Sequence, residues 1–550
     1  MTKGNTMRFL PRSRLGKVLT GVLVGIPTAA GGSLAMYIAF RAKTRPPEHM
    51  FRPLVDQEGN LLVGNEIVAR PSLPAVILRA LELLWIFGPM FLLYLFMRWN
   101  ESSYIKWIEM LLHAVERAGP AFVKAGQWSC TRQDLFEPEF RRIFQRLYSE
   151  VAIHPFADTI KIIEEDFKAK TDTVFSSIDE VPLGSGSIGQ VHLATLVGPE
   201  ARKVVVKVMH PGIVQTIAKD FFLINALARF VDKNFPQFEL YDLHALALAW
   251  TNHLAAQLDF RIEAEHLELF RKNFKDVDFV QFPQPLMSTQ RVLVETFAPG
   301  QPATVDFLAR QEVHVREVLA TKGLNTWCKM LLRDNFIHGD MHPGNILIDT
   351  TDPHKPLITM IDVGLCQKIT PEEGVVTHDL MESFVKWKAD ICTDSLLRMG
   401  TKQRFVNVEK FSKDMSSLFT RWRPAKDSDD EVVSNILQGI FETVRANYVA
   451  MDPPYVSLLF AVLVLESFIM NLNPEFNMVR HTAPWLISEG HLSPGLIKNV
   501  VLSRVDIVKR EVNVIRGRTR DLIFGASNAS ENGKDAIGSL EGTAGVRVSA

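Results

Sequence analysis

At 550 residues the chain exceeds one ordinary domain, and roughly 150 residues per domain gives about three to four domains or elaborated lobes. With 47% apolar and 22% charged residues its composition is that of a globular protein, which excludes wholesale disorder and fibrous repeats. The 61 basic and 62 acidic residues leave a net charge of −1, so no basic field points to nucleic acid; four cysteines (Cys130, Cys328, Cys366, Cys392) without CxxC spacing argue against a zinc or disulfide scaffold and suit a reducing compartment.

From Met1 to Pro47 the chain carries Lys3, Arg8, Arg12, Arg14, Lys17, Arg41, Lys43 and Arg45, and its first acidic residue is Glu48. An Arg-containing, acid-free leader reads as a mitochondrial presequence. Between Lys17 and Arg41 lie 23 uncharged residues, Val18–Phe40. At about 1.5 Å rise per residue they are just long enough to cross a bilayer, although Pro27 and four glycines weaken a helix there. A membrane-spanning helix, a cleaved leader, a secretory signal and a plain basic tail are the alternatives. Residence at the mitochondrial inner membrane is the expectation. A second apolar stretch, Leu83–Met97, has 15 residues between Glu82 and Arg98, short for a span and suited to a buried or membrane-surface helix.

Residues 100–180 show helical spacing, as in Trp107-Ile108-Leu111-Leu112-Val115. Short β-type runs follow at Gln190–Leu196 and Val204–Val208, separated by the turn-like Gly198-Pro199. Helical spacing returns over 211–275. Strand-like runs recur at Arg291–Phe297, Ile346–Ile348 and Ile358–Ile361, and 370–520 reads as helical around a polar loop at Pro424–Glu431. Within it Pro453–Leu465 fits a buried helix, and Gly525–Ala550, rich in Gly, Ser, Ala and Asn, reads as a disordered tail. The order predicts an α+β architecture, a small mixed lobe followed by a mainly helical one. The expected organisation is a targeting or transmembrane segment over 1–47, a linker with an apolar helix over 48–100, a helical extension over 101–180, the mixed lobe over 181–300, the helical lobe with its catalytic loop over 301–524, and the tail over 525–550.

Gly184-Ser185-Gly186-Ser187-Ile188-Gly189-Gln190-Val191 fits G-x-G-x-x-G-x-V. A dinucleotide fold needs a helix directly after the glycines, whereas Val191-His192-Leu193-Ala194 alternates like a strand. A glycine-rich hairpin over phosphates is the kinase solution, because residues without Cβ allow close backbone approach. Lys207 then sits in the apolar run Val204–Val208, where a lysine is costly unless paired; a snorkelling surface lysine is the alternative. Its natural partner is Glu263 on an amphipathic helix, with Glu265 as competitor, the pair holding the α/β-phosphates. Glu295, ending a strand before Pro299-Gly300, falls where a kinase hinge meets adenine, or is an ordinary strand-end carboxylate.

The strongest signal is Phe336-Ile337-His338-Gly339-Asp340-Met341-His342-Pro343-Gly344-Asn345 leading into an apolar run. Asp340 would orient or deprotonate a phosphoryl acceptor, and Asn345 would ligate Mg²⁺. Ile358–Ile361 delivers Asp362, a DFG-like second metal ligand, and two such oxygens plus phosphate oxygens satisfy Mg²⁺. A transition-metal site at His338, Asp340 and His342 leaves Asn345 and Asp362 unexplained. The HGDxHPGN loop is similar to that of aminoglycoside and choline phosphotransferases, and no Ala-Pro-Glu follows Asp362, so a peptide-docking activation segment is not expected.

Together with Phe122-Val123-Lys124-Ala125-Gly126-Gln127 and Asp259-Phe260, these elements resemble the UbiB family of atypical kinases, also called aarF-domain-containing kinases, over about Glu101 to Asn473. The Lys-x-Gly-Gln element is the family's hallmark. Lys124–Asp134 (KAGQWSCTRQD) and the Gly-rich loop resemble the mitochondrial branch of the second aarF-domain-containing kinase. The resemblance implies a protein-kinase-like two-lobed fold with an N-terminal helical extension, ATP and Mg²⁺, and ATPase or unconventional kinase activity. It also implies membrane lipids or isoprenoid quinone precursors, together with coenzyme Q biosynthesis enzymes, as partners. Lys124 and Gln127 would carry the regulatory element, both entering the cleft from one helix face and covering the protein-substrate site. Two departures stand out. Gly184-Ser185-Gly186 replaces the family's Ala-rich loop, so its customary nucleotide preference does not transfer directly. The family's Glu-x-Asp is here Gln257-Leu258-Asp259, so a Lys124–carboxylate pair falls to Asp259 or is lost. A nucleotide-binding pseudokinase scaffold is the competing function class.

Overall fold

The structure, a computed structural model, describes residues 46–488 except 64–65, 70, 132–135, 149–152, 236–241, 342, 401–402, 404–405 and 422–431. Val18–Phe40, His342, the polar loop Pro424–Glu431 and the tail from Gly525 lie outside the described residues.

A hairpin of β1 (Leu61–Val63) and β2 (Glu66–Ala69) precedes helix α1 (Leu73–Met97). At 25 residues α1 is longer than the 15-residue apolar stretch predicts, because the charges at Arg79 and Glu82 do not end it. Arg79 turns inward and donates to both carboxylate oxygens of buried Asp220 at 2.8 and 3.1 Å, to Glu82 at 2.8 Å and to the Ala118 carbonyl. Neutralised this way, the guanidinium is compatible with a helical interior. The opposite face of α1 exposes Leu78, Leu84, Trp85, Phe91 and Phe96.

Helices α2 (Glu101–Ala118) and α3 (Pro120–Thr131) meet at Gly119, whose φ of 99° lies in the region that favours glycine. Gly126 lets α3 close on Phe144 of α4 (Pro138–Phe144) and on Leu147, since a Cβ there would run into both side chains. Next come α5 (Phe156–Phe167), β3 (Phe175–Ile178), β4 (Gly184–Ser185), β5 (Gly189–Leu196) and β6 (Lys203–Met209). Helices α6 (Ile213–Asn234), α7 (Leu243–Ala255) and α8 (Phe260–Asn273) follow, then β7 (Val280–Gln281), β8 (Pro285–Ser288) and β9 (Val292–Thr296).

The first lobe is an antiparallel sheet of order β3-β5-β6-β9-β8, with β4 paired to β5. Period-two alternation sorts β6 into two faces. Val204, Val206 and Val208 pack with Ile162 and Ile163 of α5, while Val205 and Lys207 face the other way. The second lobe contains β10 (Gln301–Pro302), α9 (Val313–Cys328), β11 (Phe336–His338), β12 (Ile346–Asp349), β13 (Leu357–Met360) and β14 (Cys366–Lys368). Its small sheets have orders β10-β12-β13-β7 and β11-β14. The helices α10 (Pro371–Lys386), α11 (Ala389–Arg398), α12 (Val408–Arg421), α13 (Val432–Ala446), α14 (Pro453–Leu472) and α15 (Met478–Ser488) complete it. Leu458, Leu459, Val462, Leu465 and Ile469 place α14 in the core, as its sequence predicts.

Candidate nucleotide-binding site

The glycine-rich segment is a β-hairpin: Gly184 pairs with Val191, Ser185 with Gln190, and the Gly186 N–H donates to Gly189 O at 2.9 Å. Gly189 is required sterically, since a Cβ there would lie 2.5 Å from the Val208 carbonyl oxygen. At Gly184 a Cβ would meet nothing within 4 Å, and at Gly186 only Gly189 O at 3.7 Å, so the loop's outer side is open. Ser187 is buried and its hydroxyl oxygen has no hydrogen-bond partner. A donor left unpaired in a buried loop is expensive, so an acceptor is called for at this point of the loop.

Val191 stands opposite Lys207 in the β5–β6 register, and Lys207 stands opposite Leu293 in β9. The Lys207 ammonium donates to both Glu263 oxygens at 2.9 and 2.8 Å and to Asp362 Oδ1 at 2.9 Å. Glu263 therefore wins over Glu265, which is exposed and sits 3.4 Å from His49. One ammonium faces two carboxylates. Burial alone would depress Lys207, but Asp362 and Glu263 outweigh it and raise it above the ordinary lysine range. Burial pushes Glu263 up to about 7 against the pull of Lys207. For Asp362 burial is again opposed, here by Lys207 and Lys124, and the carboxyl is held below the usual range. Glu295 lies opposite Val205, two strand positions from the Lys207 pair and on the same face. Burial, reinforced by Glu263, raises it to about 8.

The Asp340–Asn345 segment is held by its backbone. The Asp340 N–H donates to His338 Nδ1 at 3.2 Å, and Asn345 Nδ2 donates to the Asp340 carbonyl at 3.0 Å. The Ile361 N–H donates to Asn345 O at 2.9 Å, which ties the loop to the residue before Asp362. Asp362 has φ 51°, an uncommon conformation for a residue with a Cβ, and from it the carboxylate reaches Lys207. His338 spends Nδ1 on the Asp340 amide and directs Nε2 at Ile361 O, 3.3 Å away, so its ring is committed to backbone rather than to a metal.

The Lys-x-Gly-Gln element corrects two expectations. The Gln127 amide nitrogen donates to Leu147 O at 2.8 Å, so that end of the side chain ties α3 to the segment after α4 instead of reaching phosphates. Asp259 caps α8 and receives Arg261 Nε at 2.8 Å and Nη2 at 2.6 Å, which takes the carboxylate expected for Lys124. The bidentate arginine is two residues away and needs no long-range approach. The charge of Lys124 acts instead on Asp362 and on His253 of α7.

Two histidines at this site have no motif to announce them. His253 is pushed down to about 4 by burial, with Asp340 opposing and Lys368 and Lys124 adding to the shift, so a neutral imidazole stands in the field of the Asp340 loop. His266, one helical turn beyond Glu263, donates from Nδ1 to Val363 O at 2.9 Å and so couples α8 to the Asp362 segment.

Among known proteins, residues 146–395 match the ABC1 atypical kinase-like domain. The probable protein kinase UbiB of Erwinia tasmaniensis is 30% identical over 385 residues, which cover 68% of each chain. The chain belongs to the ABC1/UbiB family of atypical kinases. Its fold is accordingly kinase-like. The probable serine/threonine-protein kinase abkC of Dictyostelium discoideum is 28% identical over 450 residues, covering 69% of this chain and 64% of that protein's own length. A mitochondrial ABC1 family protein of Saccharomyces cerevisiae is 24% identical over 498 residues, 77% of this chain and 75% of the yeast protein. Within the chain, the matched residues 146–395 include the hairpin, the Lys207–Glu263 pair and the Asp340–Asn345–Asp362 segment.

Proposed function

We propose that this chain binds ATP with Mg²⁺ between its lobes and hydrolyses it or transfers its terminal phosphoryl group, as an ATPase or unconventional kinase. The observation that carries the reading is the Glu263–Lys207–Asp362 set, which joins the sheet bearing the glycine-rich hairpin to the segment bearing the catalytic loop. The open side of Gly184 and Gly186 and the unpartnered Ser187 hydroxyl suit phosphate oxygens. Asp362 and Asn345 suit Mg²⁺, since Asn345 commits its amide nitrogen to Asp340 O and its side-chain oxygen is the end suited to a cation. The bound cation neutralises phosphate charge. Lys207 orients the α/β-phosphates, Val191 and Glu295 border the base, and Asp340 holds or takes the proton of the acceptor hydroxyl or water.

Lys124 is the regulatory group of this reading, because its charge bears on the metal-binding carboxylate Asp362. Lys124→Ala is expected to alter Mg²⁺-ATP affinity and to release self-phosphorylation. On an Asp340→Asn background the affinity change should persist while self-phosphorylation stays absent, as phosphate incorporation would report. Wild-type values on all counts would reduce α3 to a packing helix.

The setting we assign is the mitochondrial inner membrane, in support of ubiquinone or other isoprenoid-lipid metabolism. The acid-free basic leader, the UbiB and mitochondrial names of relatives, and the exposed apolar face of α1 support it. That helix is long and apolar enough to cross a membrane. ATP turnover measured with and without anionic phospholipid vesicles, followed by mass analysis of co-purified lipids, tests the whole reading. Mg²⁺-dependent turnover and co-sedimentation with the vesicles are expected. A folded protein with no turnover in either condition would favour the pseudokinase scaffold.

A further inference from the structure

Outside the cleft, five polar side chains form one connected chain that ends on the glycine-rich loop. His210, which follows β6, directs Nε2 at Gly186 O, 2.8 Å away, and its backbone N–H donates to Ile188 O at 2.9 Å. Its Nδ1 lies 2.7 Å from His154 Nδ1. His154 Nε2 lies 2.9 Å from Thr159 Oγ1 in α5. Gln190 Nε2 is 3.1 Å from Thr159 Oγ1 and 3.1 Å from His192 Nε2, and His192 Nδ1 is 2.7 Å from Asp179 O. Gln190 also exchanges bonds with the His154 backbone, accepting from its N–H at 3.0 Å and donating to its carbonyl at 3.2 Å. Thr159, Gln190 and His192 are buried.

The carbonyl ends fix the donor at each end of this chain. Gly186 O and Asp179 O only accept, so His210 Nε2 and His192 Nδ1 are donors. Neutral His210 then accepts at Nδ1, which makes His154 Nδ1 a donor and its Nε2 an acceptor from the Thr159 hydroxyl. The Thr159 oxygen and His192 Nε2 in turn accept from Gln190. With all three imidazoles neutral, one tautomer set satisfies the ring nitrogens, while the two Gln190 amide hydrogens are shared among the His154 carbonyl, Thr159 Oγ1 and His192 Nε2, the last two 3.4 Å apart and both accepting. Burial and the neighbouring histidines push His154 down to about 4, and burial lowers His192 and His210, which favours that neutral set. The loop that must lie over phosphates is thus gripped at two of its carbonyls by a single residue that is itself held by α5 and β5.

We propose that His210, oriented by His154, is a positioning residue for nucleotide binding, clamping the glycine-rich loop at Gly186 in its phosphate-receiving shape. The role rests on the reading of the cleft as an Mg²⁺-ATP site. It also gives the Gln190-Val191-His192 motif a task, since Gln190 and His192 anchor the far end of the chain.

The test uses the full chain and Mg²⁺-ATP as probe, with His210→Phe, which removes both ring nitrogens, and His210→Gln, which keeps an N–H at the end of the side chain. In His210→Phe, hydrogen exchange of the Ser185–Gly189 amides should accelerate while that of β9 is unchanged. Mg²⁺-ATP affinity should fall by about tenfold, the size set by one lost hydrogen bond. The maximal turnover rate should change far less than KM, and His210→Gln should recover affinity to within about threefold of wild type, the residual reflecting the lost His154 contact. A binding response abolished by Asp362→Ala but unaltered in His210→Phe would overturn the clamp alone. A wild-type protein with no Mg²⁺-ATP response would overturn the cleft reading and this role with it.

Discussion

Replacing Asp340 with asparagine is expected to cut ATP turnover by roughly 10²–10⁴-fold, the usual worth of a positioned acid–base group, while leaving Mg²⁺-ATP affinity near wild type. The loop is built so that this separation is possible. Asp340 is pinned through its backbone, by the amide donating to His338 and the carbonyl accepting from Asn345, and neither bond uses the carboxylate. An amide of the same shape therefore preserves the path of the loop and the placement of Asn345, but it cannot accept the proton of an attacking hydroxyl or water. Single-turnover kinetics alongside calorimetric titration with Mg²⁺-ATP would read both quantities. Undiminished turnover in the folded variant would remove Asp340 from the chemistry, and a parallel loss of binding would make it a structural group.

Arg79→Ala should destabilise the protein by about 3–5 kcal/mol, an effect out of proportion to one residue on a peripheral helix. Asp220 is fully buried, and burial already raises its carboxyl although Arg79 opposes the shift. Removing the guanidinium leaves a buried carboxylate without its bidentate partner and an Ala118 carbonyl without its donor, at the turn where α2 gives way to α3. The double replacement Arg79→Met with Asp220→Leu should recover most of the loss, because a buried ion pair is costly to break and cheap to replace as a unit. Urea midpoints for the three variants decide the matter. A loss below about 1 kcal/mol in the single variant would show that water reaches the pair and screens it.

The contrast between these two sites explains what the sequence made legible. Asp340, Asn345 and Asp362 lie within 23 positions, and the glycines, Lys207 and Glu263 within 80, each on a local pattern that states its own geometry. A hairpin could be told from a dinucleotide turn because Val191-His192-Leu193-Ala194 alternates, and the strand it predicts is β5. Arg79 and Asp220 are 141 residues apart with no pattern to join them, so the apolar stretch counted from Glu82 missed the first turns of α1, where Arg79 is a tertiary anchor. Lys124 is the instructive case. Its helix was evident, but of the two alternatives, a pair with Asp259 or none, the sequence could not choose: Asp259 had a closer claimant in Arg261, and local bidentate geometry wins over a contact that must be assembled across the fold. The two-residue strands β7 and β10 are too short to show a period at all, and they are recruited by β13 and β12. The histidines His154, His210 and His253 were silent for the same reason as Arg79: their meaning is in the neighbours.

The central claim, a cleft that takes Mg²⁺-ATP against Asp362, is tested most directly by the thermal shift that Mg²⁺-ATP produces in wild-type protein and in Asp362→Ala. Ligand binding to the native state raises the unfolding temperature with ligand concentration. The wild-type protein should show a concentration-dependent rise that disappears when Mg²⁺ is chelated, and Asp362→Ala, folded by circular dichroism, should show none. An equal Mg²⁺-ATP shift in the two proteins would contradict the assignment.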